Sequence, residues 1–154
     1  MQTSDNPENI GRRRPDGVDD GAVQATGKIS EALETIERAR GHLYSFHQLT
    51  GRADLLLDEA VAELRDIAQR ALAEHINTEL IGRNVLPGRW SFQVVEDYDD
   101  GYYRCFQQVE RKVRSALCGG RRHVFEAEMK EARRTAGHAA HTAAPSDNPA
   151  RSGQ

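Results

Sequence analysis

From Ile29 to Leu117 apolar side chains recur every three or four residues, an interval that lines them along one side of an α-helix and not along one face of a strand. The pattern predicts a first helix over about Ser30 to Gln48, with Ile29, Ala32, Ile36, Ala39, Leu43 and Phe46 as its stripe. Ser30 can cap it, Glu31 and Glu34 suit the positive end of its dipole, and Thr50-Gly51 is expected to end it. A second helix is predicted from Asp54 to Ile81, striped by Leu57, Val61, Leu64, Ala68, Ala71 and His75. Leu56, Ala60, Ile67, Leu72 and Ile76 widen that stripe, which suits contact with two neighbours. Gly82 and Pro87-Gly88 then punctuate the chain. In Arg89 to Val95, Trp90, Phe92 and Val94 alternate with Ser91 and Gln93, which predicts an extended linker lying on a helical surface. A third helix is expected from between Asp97 and Asp100 to Leu117, closed by Gly119-Gly120, and a short fourth from about Arg122 to Arg134. The expected fold is all-α: an antiparallel three-helix bundle with a short fourth helix and disordered termini, whose heptad-like stripes also suit a homodimer.

The chain has 154 residues, the size of one domain with tails, and its mean hydropathy of −0.72 predicts that part of it stays unordered. Composition places the tails at residues 1–27 and 137–154 and the helical bundle domain at 28–136. A net charge of −3 argues against nucleic acid as the partner of the whole domain. No run approaches the ~18 apolar residues of a membrane span, and Met1 to Lys28 holds no hydrophobic core of a secretory signal. The reading is therefore a cytoplasmic protein with no membrane partner. Cys105 and Cys118, too far apart on one predicted helix to bridge, are read as reduced. Lys occurs only at 28, 112 and 130, so the other 18 of the 21 basic residues are Arg, a usage that suggests a GC-rich bacterial source.

Most reaction chemistries lack their motif. The Glu-x-x-His pairs of di-iron bundles are missing, because Ala39, Tyr44, Leu72 and Gly120 stand three residues before His42, His47, His75 and His123. His123-Val124-Phe125-Glu126 resembles half of an inverted zinc motif, but Ala127 occupies the place of its second histidine. His138 and His141 have a chelating spacing within the expected C-terminal tail. The run Glu96 to Gly101 looks like a calcium loop until Tyr98 falls where an oxygen ligand is required. Phosphate-binding glycine loops and the Gly-x-Ser-x-Gly elbow are absent. The sequence therefore calls for no cofactor and no metal, and an enzyme is the secondary reading.

Three constellations remain. His42 and His47, ~140° apart around a helix axis, cannot share a metal by themselves, though His75 could approach them across an antiparallel packing. Partly buried structural histidines are the simpler account. A second constellation joins Arg89 and Trp90 to Glu96, Asp97, Tyr98, Asp99, Asp100 and Tyr102, and polar-tipped aromatics beside carboxylates suit a binding surface. The same residues also suit an aromatic cap with helix-start charges. The third is Arg121, Arg122 and His123 at a helix start, where cations oppose the dipole. Their expected partners are the carboxylates Glu96 to Asp100, with an anion ligand as the other option.

The runs Gly82-Arg83-Asn84-Val85-Leu86-Pro87-Gly88-Arg89-Trp90 and Gly119-Gly120-Arg121-Arg122-His123-Val124-Phe125-Glu126 resemble those of uncharacterised small helical proteins of actinobacteria, over about Ile29 to Arg134. The resemblance implies a bacterial cytoplasmic source and carries no activity, cofactor or catalytic residue. The function expected from the sequence is that of a helical interaction protein binding a protein partner or a second copy of itself. Its alternatives are a metal- or small-ligand-binding enzyme built on His42, His47, His75 and Glu96 to Asp100, and a weak nucleic-acid binder using Arg12 to Arg14 and Arg121 to Arg134.

Overall fold

The computed structural model describes residues 12–142 and is mostly helical, with no strand among the described residues. Helix α1 spans Asp20–Asp66, α2 Arg70–Glu79 and α3 Ser91–Tyr98; a π turn, Asp99–Tyr103, leads into α4, Arg104–Cys118, and α5 is Val124–Arg133. Because α3, the π turn and α4 follow one another without a break, the described residues form four helical rods. The chain divides into two compact units: Glu34–Phe106, and the described residues up to Leu33 together with those from Gln107 onward.

Helix α1 corrects two sequence expectations. It is a single rod of 47 residues, about 70 Å long at the rise of an α-helix. It passes straight through Thr50-Gly51, the expected terminus. A glycine ends a helix by taking up a left-handed conformation, and Gly51 stays helical. The apolar stripe resumes at once with Leu57, Val61 and Leu64, so packing on both sides outweighs the roughly 0.5–1 kcal/mol that one interior glycine costs. The helix stops instead at Ala68, which adopts the left-handed φ of 63°. There the Ala68 N–H donates to the Arg65 carbonyl (3.0 Å) and the Gln69 N–H to that of Leu64 (2.8 Å), the two bonds of a Schellman cap. Glycine usually fills that position, so a search for glycine misses it.

This yields a test whose sign distinguishes the two arrangements. A Cβ added at Gly51 meets nothing within 4 Å. Gly51→Ala is therefore expected to raise stability by about 0.5–1 kcal/mol, read as a higher urea midpoint. Were Gly51 a left-handed cap, the same change would lower it.

The second correction lies at the N-terminal end. The helix starts at Asp20, ahead of the expected Ser30, and the Asp19 carboxylate caps it by accepting from the Ala22 N–H at 2.7 Å. Val23 and Thr26, assigned to the N-terminal tail, are buried; Val23 joins Cys118 and Val124 in one core cluster with Val18 against it. Cys118 is indeed a free thiol and sits 3.4 Å from the Thr26 hydroxyl. Of the tails expected over residues 1–27 and 137–154, residues 1–11 and 143–154 lie outside the described residues.

The alternating segment is also helical. Trp90 holds an extended N-cap conformation, and its N–H donates to the Gln93 side-chain oxygen at 3.0 Å. The inward face is Ser91, Val94, Val95 and Tyr98, at steps of three, one and three residues. Val95 is buried while Trp90 and Phe92 stay exposed, so two of the three alternating side chains face solvent and only Val94 turns inward. The glycine punctuation does appear: Gly82, Gly88, Gly119 and Gly120 all have positive φ. Pro87-Gly88 reverses the chain so that Leu86 and Arg89 pair, with the Arg89 N–H 3.0 Å from the Leu86 carbonyl.

Candidate functional site

Within the unit Glu34–Phe106, the Pro87-Gly88 turn and the start of α3 lift Leu86, Trp90 and Phe92 into solvent, with Trp90 57% exposed. The Trp90 and Phe92 rings meet edge to face at 5.5 Å. Arg89 is drawn back onto α3, its Nε 2.6 Å from an Asp97 carboxylate oxygen. The geometry thus leaves the aromatic pair open and neutralises the charge beside it.

The π turn builds the adjoining cluster. In an unbroken α-helix residues five apart lie ~140° from each other around the axis. The turn Asp99–Tyr103 closes on i→i+5, which brings Tyr103 as well as Tyr102 alongside Tyr98. The Tyr98 ring is 5.8 Å from that of Tyr102 and nearly parallel to that of Tyr103 at 6.4 Å, and Phe106 extends the row at 5.9 Å from Tyr102.

Behind these rings α1 contributes a clamp. The Arg40 guanidinium donates twice to Asp99, Nε to Oδ1 at 2.6 Å and Nη2 to Oδ2 at 2.8 Å. It also lies over two rings, 5.5 Å from the centre of Tyr44 and 5.2 Å from that of Tyr103. The Tyr103 hydroxyl donates to Glu37 at 2.5 Å. Bonding from Arg40 holds the Asp99 carboxyl below its ordinary value, whereas the Glu37 bond and then burial push the Tyr103 hydroxyl up. Asp100 is met by Arg104 at 2.7 Å, and Glu96 is exposed. Three of the four acidic residues between Glu96 and Asp100 therefore already have an arginine counter-charge.

His47 bonds through Nδ1 to the Ser91 hydroxyl at 2.8 Å, while His42 and His75 are exposed. Among the described residues no three His, Cys, Asp or Glu side chains gather in a way that could hold a metal ion. His138 and His141 each accept a backbone N–H at Nδ1, from Ala140 and Thr135.

Arg121, Arg122 and His123 belong to the other unit, and the partners the structure gives Arg121 and His123 lie within it. Arg121 donates to the Arg13 carbonyl, and His123 Nδ1 lies 3.9 Å from Glu126. Within the unit Glu34–Phe106, Asp97, Asp99 and Asp100 are met by Arg89, Arg40 and Arg104. His123 takes a left-handed φ of 56° as the residue before α5, and Arg122 is exposed. Arg14, one of the basic residues in the nucleic-acid alternative, forms a double bond pair with Glu128 (2.8 and 2.9 Å) and a third contact with Asp20.

Sequence reasoning missed Arg40, Tyr44 and Glu37. One signal was available: Arg40 flanks the stripe beside Ala39, and a half-buried cation next to an inward face implies a carboxylate opposite. No described helix is long and apolar enough to cross a membrane. No protein-family model, curated protein or solved structure matches the chain.

Proposed function

We propose that the chain is a helical interaction protein that binds a protein partner through the aromatic corner of Leu86, Trp90 and Phe92, with the Tyr98–Tyr102 row beside it. The observation that carries this reading is the exposure of three large apolar side chains, 51%, 57% and 40%, on one turn and the helix start that follows it. Trp and Tyr on a pre-formed scaffold are the side chains that most often anchor a protein interface. The scaffold we infer is an antiparallel packing of α1 against the rod Ser91–Cys118. Its support is the order of the contacts: His47 with Ser91, then Arg40 with Asp99, then Glu37 with Tyr103, descending along one rod and ascending along the other. The proposal keeps the cytoplasmic setting read from the sequence.

Trp90 is the only tryptophan, so its fluorescence reports on this corner alone. In the free chain its emission should be that of a solvated indole, open to quenching by iodide, and it should shift to the blue when a partner docks. Trp90→Ala should lower retention of that partner by immobilised chain about thirtyfold or more, the effect of truncating an anchor residue. Equal retention by both forms, with Trp90 already shielded in the free chain, removes the proposal.

A further inference from the structure

We propose that a second copy of this chain docks antiparallel along the bare edge of α1, with the two helices related by a twofold axis at the level of Leu55, between Ala53 and Leu56. This rests on the reading of the chain as a binding protein and names one partner of it, at a face of the unit other than the Trp90 corner.

Helix α1 carries two stripes with coiled-coil spacing. The inner one, which includes Leu43, His47, Leu57, Val61 and Leu64, is buried or half-buried within the chain. The second stands one residue earlier at each step, about 100° round the axis. It comprises Phe46, Leu49, Ala53, Leu56, Ala60 and Ile67, at intervals of three, four, three, four and seven, with Glu63 at the intervening position. Phe46 is 43% exposed, Leu49 63%, Leu56 52% and Ile67 66%. A stripe of this period sustained over three heptads is what a helix pair requires.

Charge on its flank selects the occupant and its direction. Arg38, Ser45, Arg52, Glu59 and Asp66 stand seven apart along one edge of the stripe, basic in the first half and acidic in the second. All five are exposed, and residues two helical turns apart, such as Arg52 and Glu59, cannot reach each other. An antiparallel second copy sets Arg52 against Glu59 and Glu59 against Arg52, so the edge is complementary to itself under a twofold axis. The same register sets Leu56 against Ala53 of the second copy and Leu49 against Ala60, large against small in the central layers, with Phe46 against Glu63 beyond them.

Sedimentation of the full chain across a wide concentration range tests this. The expected result is a dimer of a 17.2 kDa chain. Leu49→Asp should make it monomeric without loss of helical circular dichroism, whereas Leu55→Asp, on a different face, should leave the dimer intact. Arg52→Glu and Glu59→Arg should each weaken the dimer about tenfold, since each change breaks two symmetry-related pairs, and the double reversal should restore it. A monomeric wild-type chain, a dimer that survives Leu49→Asp, one lost equally in Leu55→Asp, or no rescue by the double reversal each overturns the proposal. Trp90→Ala should leave the mass unchanged, so failure here and failure of the Trp90 reading are read separately.

Discussion

Glu110→Ala is expected to lower the stability of the fold by about 3–5 kcal/mol, the cost of removing one partner of a buried ion pair. Glu110 is 6% exposed in α4. Its carboxylate accepts from Arg114 Nε at 2.8 Å and from the Ser30 hydroxyl at 3.0 Å, and Arg114 also donates to the Gly120 carbonyl. With the side chains only 8% and 11% accessible, truncation of the glutamate strands the Arg114 charge where water reaches it poorly. Against a typical total of 5–15 kcal/mol this is a large share. Replacing both residues by leucine should recover much of the loss, because no charge is then left alone. Urea unfolding of the two variants checks this, and a single-variant cost under about 1 kcal/mol would contradict the buried pair.

The same group predicts an acid limb. Burial by itself would raise the Glu110 carboxyl, but the bonds from Arg114 and Ser30 together outweigh burial and hold it below 4.5. A folded-state value depressed below the unfolded one gives stability that is fully present above the unfolded value and lost as the pH falls through the folded one. Unfolding free energy should therefore decline below about pH 4.5, and Glu110→Gln should flatten that decline.

Arg40→Met is expected to cost about 1.5–3 kcal/mol, the value of hydrogen bonds to a charged group with geometry this close. The change frees Asp99, which is 29% accessible and so regains part of its hydration; the loss should be smaller than that at Glu110 for this reason. The guanidinium also fills the space between the Tyr44 and Tyr103 rings, so near-ultraviolet circular dichroism of the tyrosines should weaken along with stability. Arg40→Lys should recover only part of either, since an ammonium cannot bond both Asp99 oxygens in one plane. An unchanged tyrosine signal in Arg40→Met would show that the clamp does not order the rings.

Local chemistry was legible where one residue type suffices. Gly119-Gly120 was expected to close a helix and both glycines are left-handed after Cys118. The predicted short helix from Arg122 to Arg134 is found at Val124–Arg133. Where a position depends on distant packing, local signals misled. Gly51 has the residue type of a terminus without its conformation, and Ala68 has the conformation without the residue type. Trp90, Phe92 and Val94 alternate like a strand, yet Ser91, Val94 and Val95 turn inward as a helix. At the site, the aromatics and carboxylates between Arg89 and Tyr102 were visible as a cluster. The pairing of Asp99 with Arg40 was not, because the two are 59 residues apart.

Periodicity and left-handed glycines act over a few residues, so the helical character of this protein and several of its turns can be read from the amino-acid chain alone. How long α1 runs, which of its two apolar stripes is covered and which arginines meet Asp97, Asp99 and Asp100 follow from packing. Those outcomes turn on which surfaces meet across long sequence separations, where a few kcal/mol of packing outweighs the roughly 1 kcal/mol preference of any single residue.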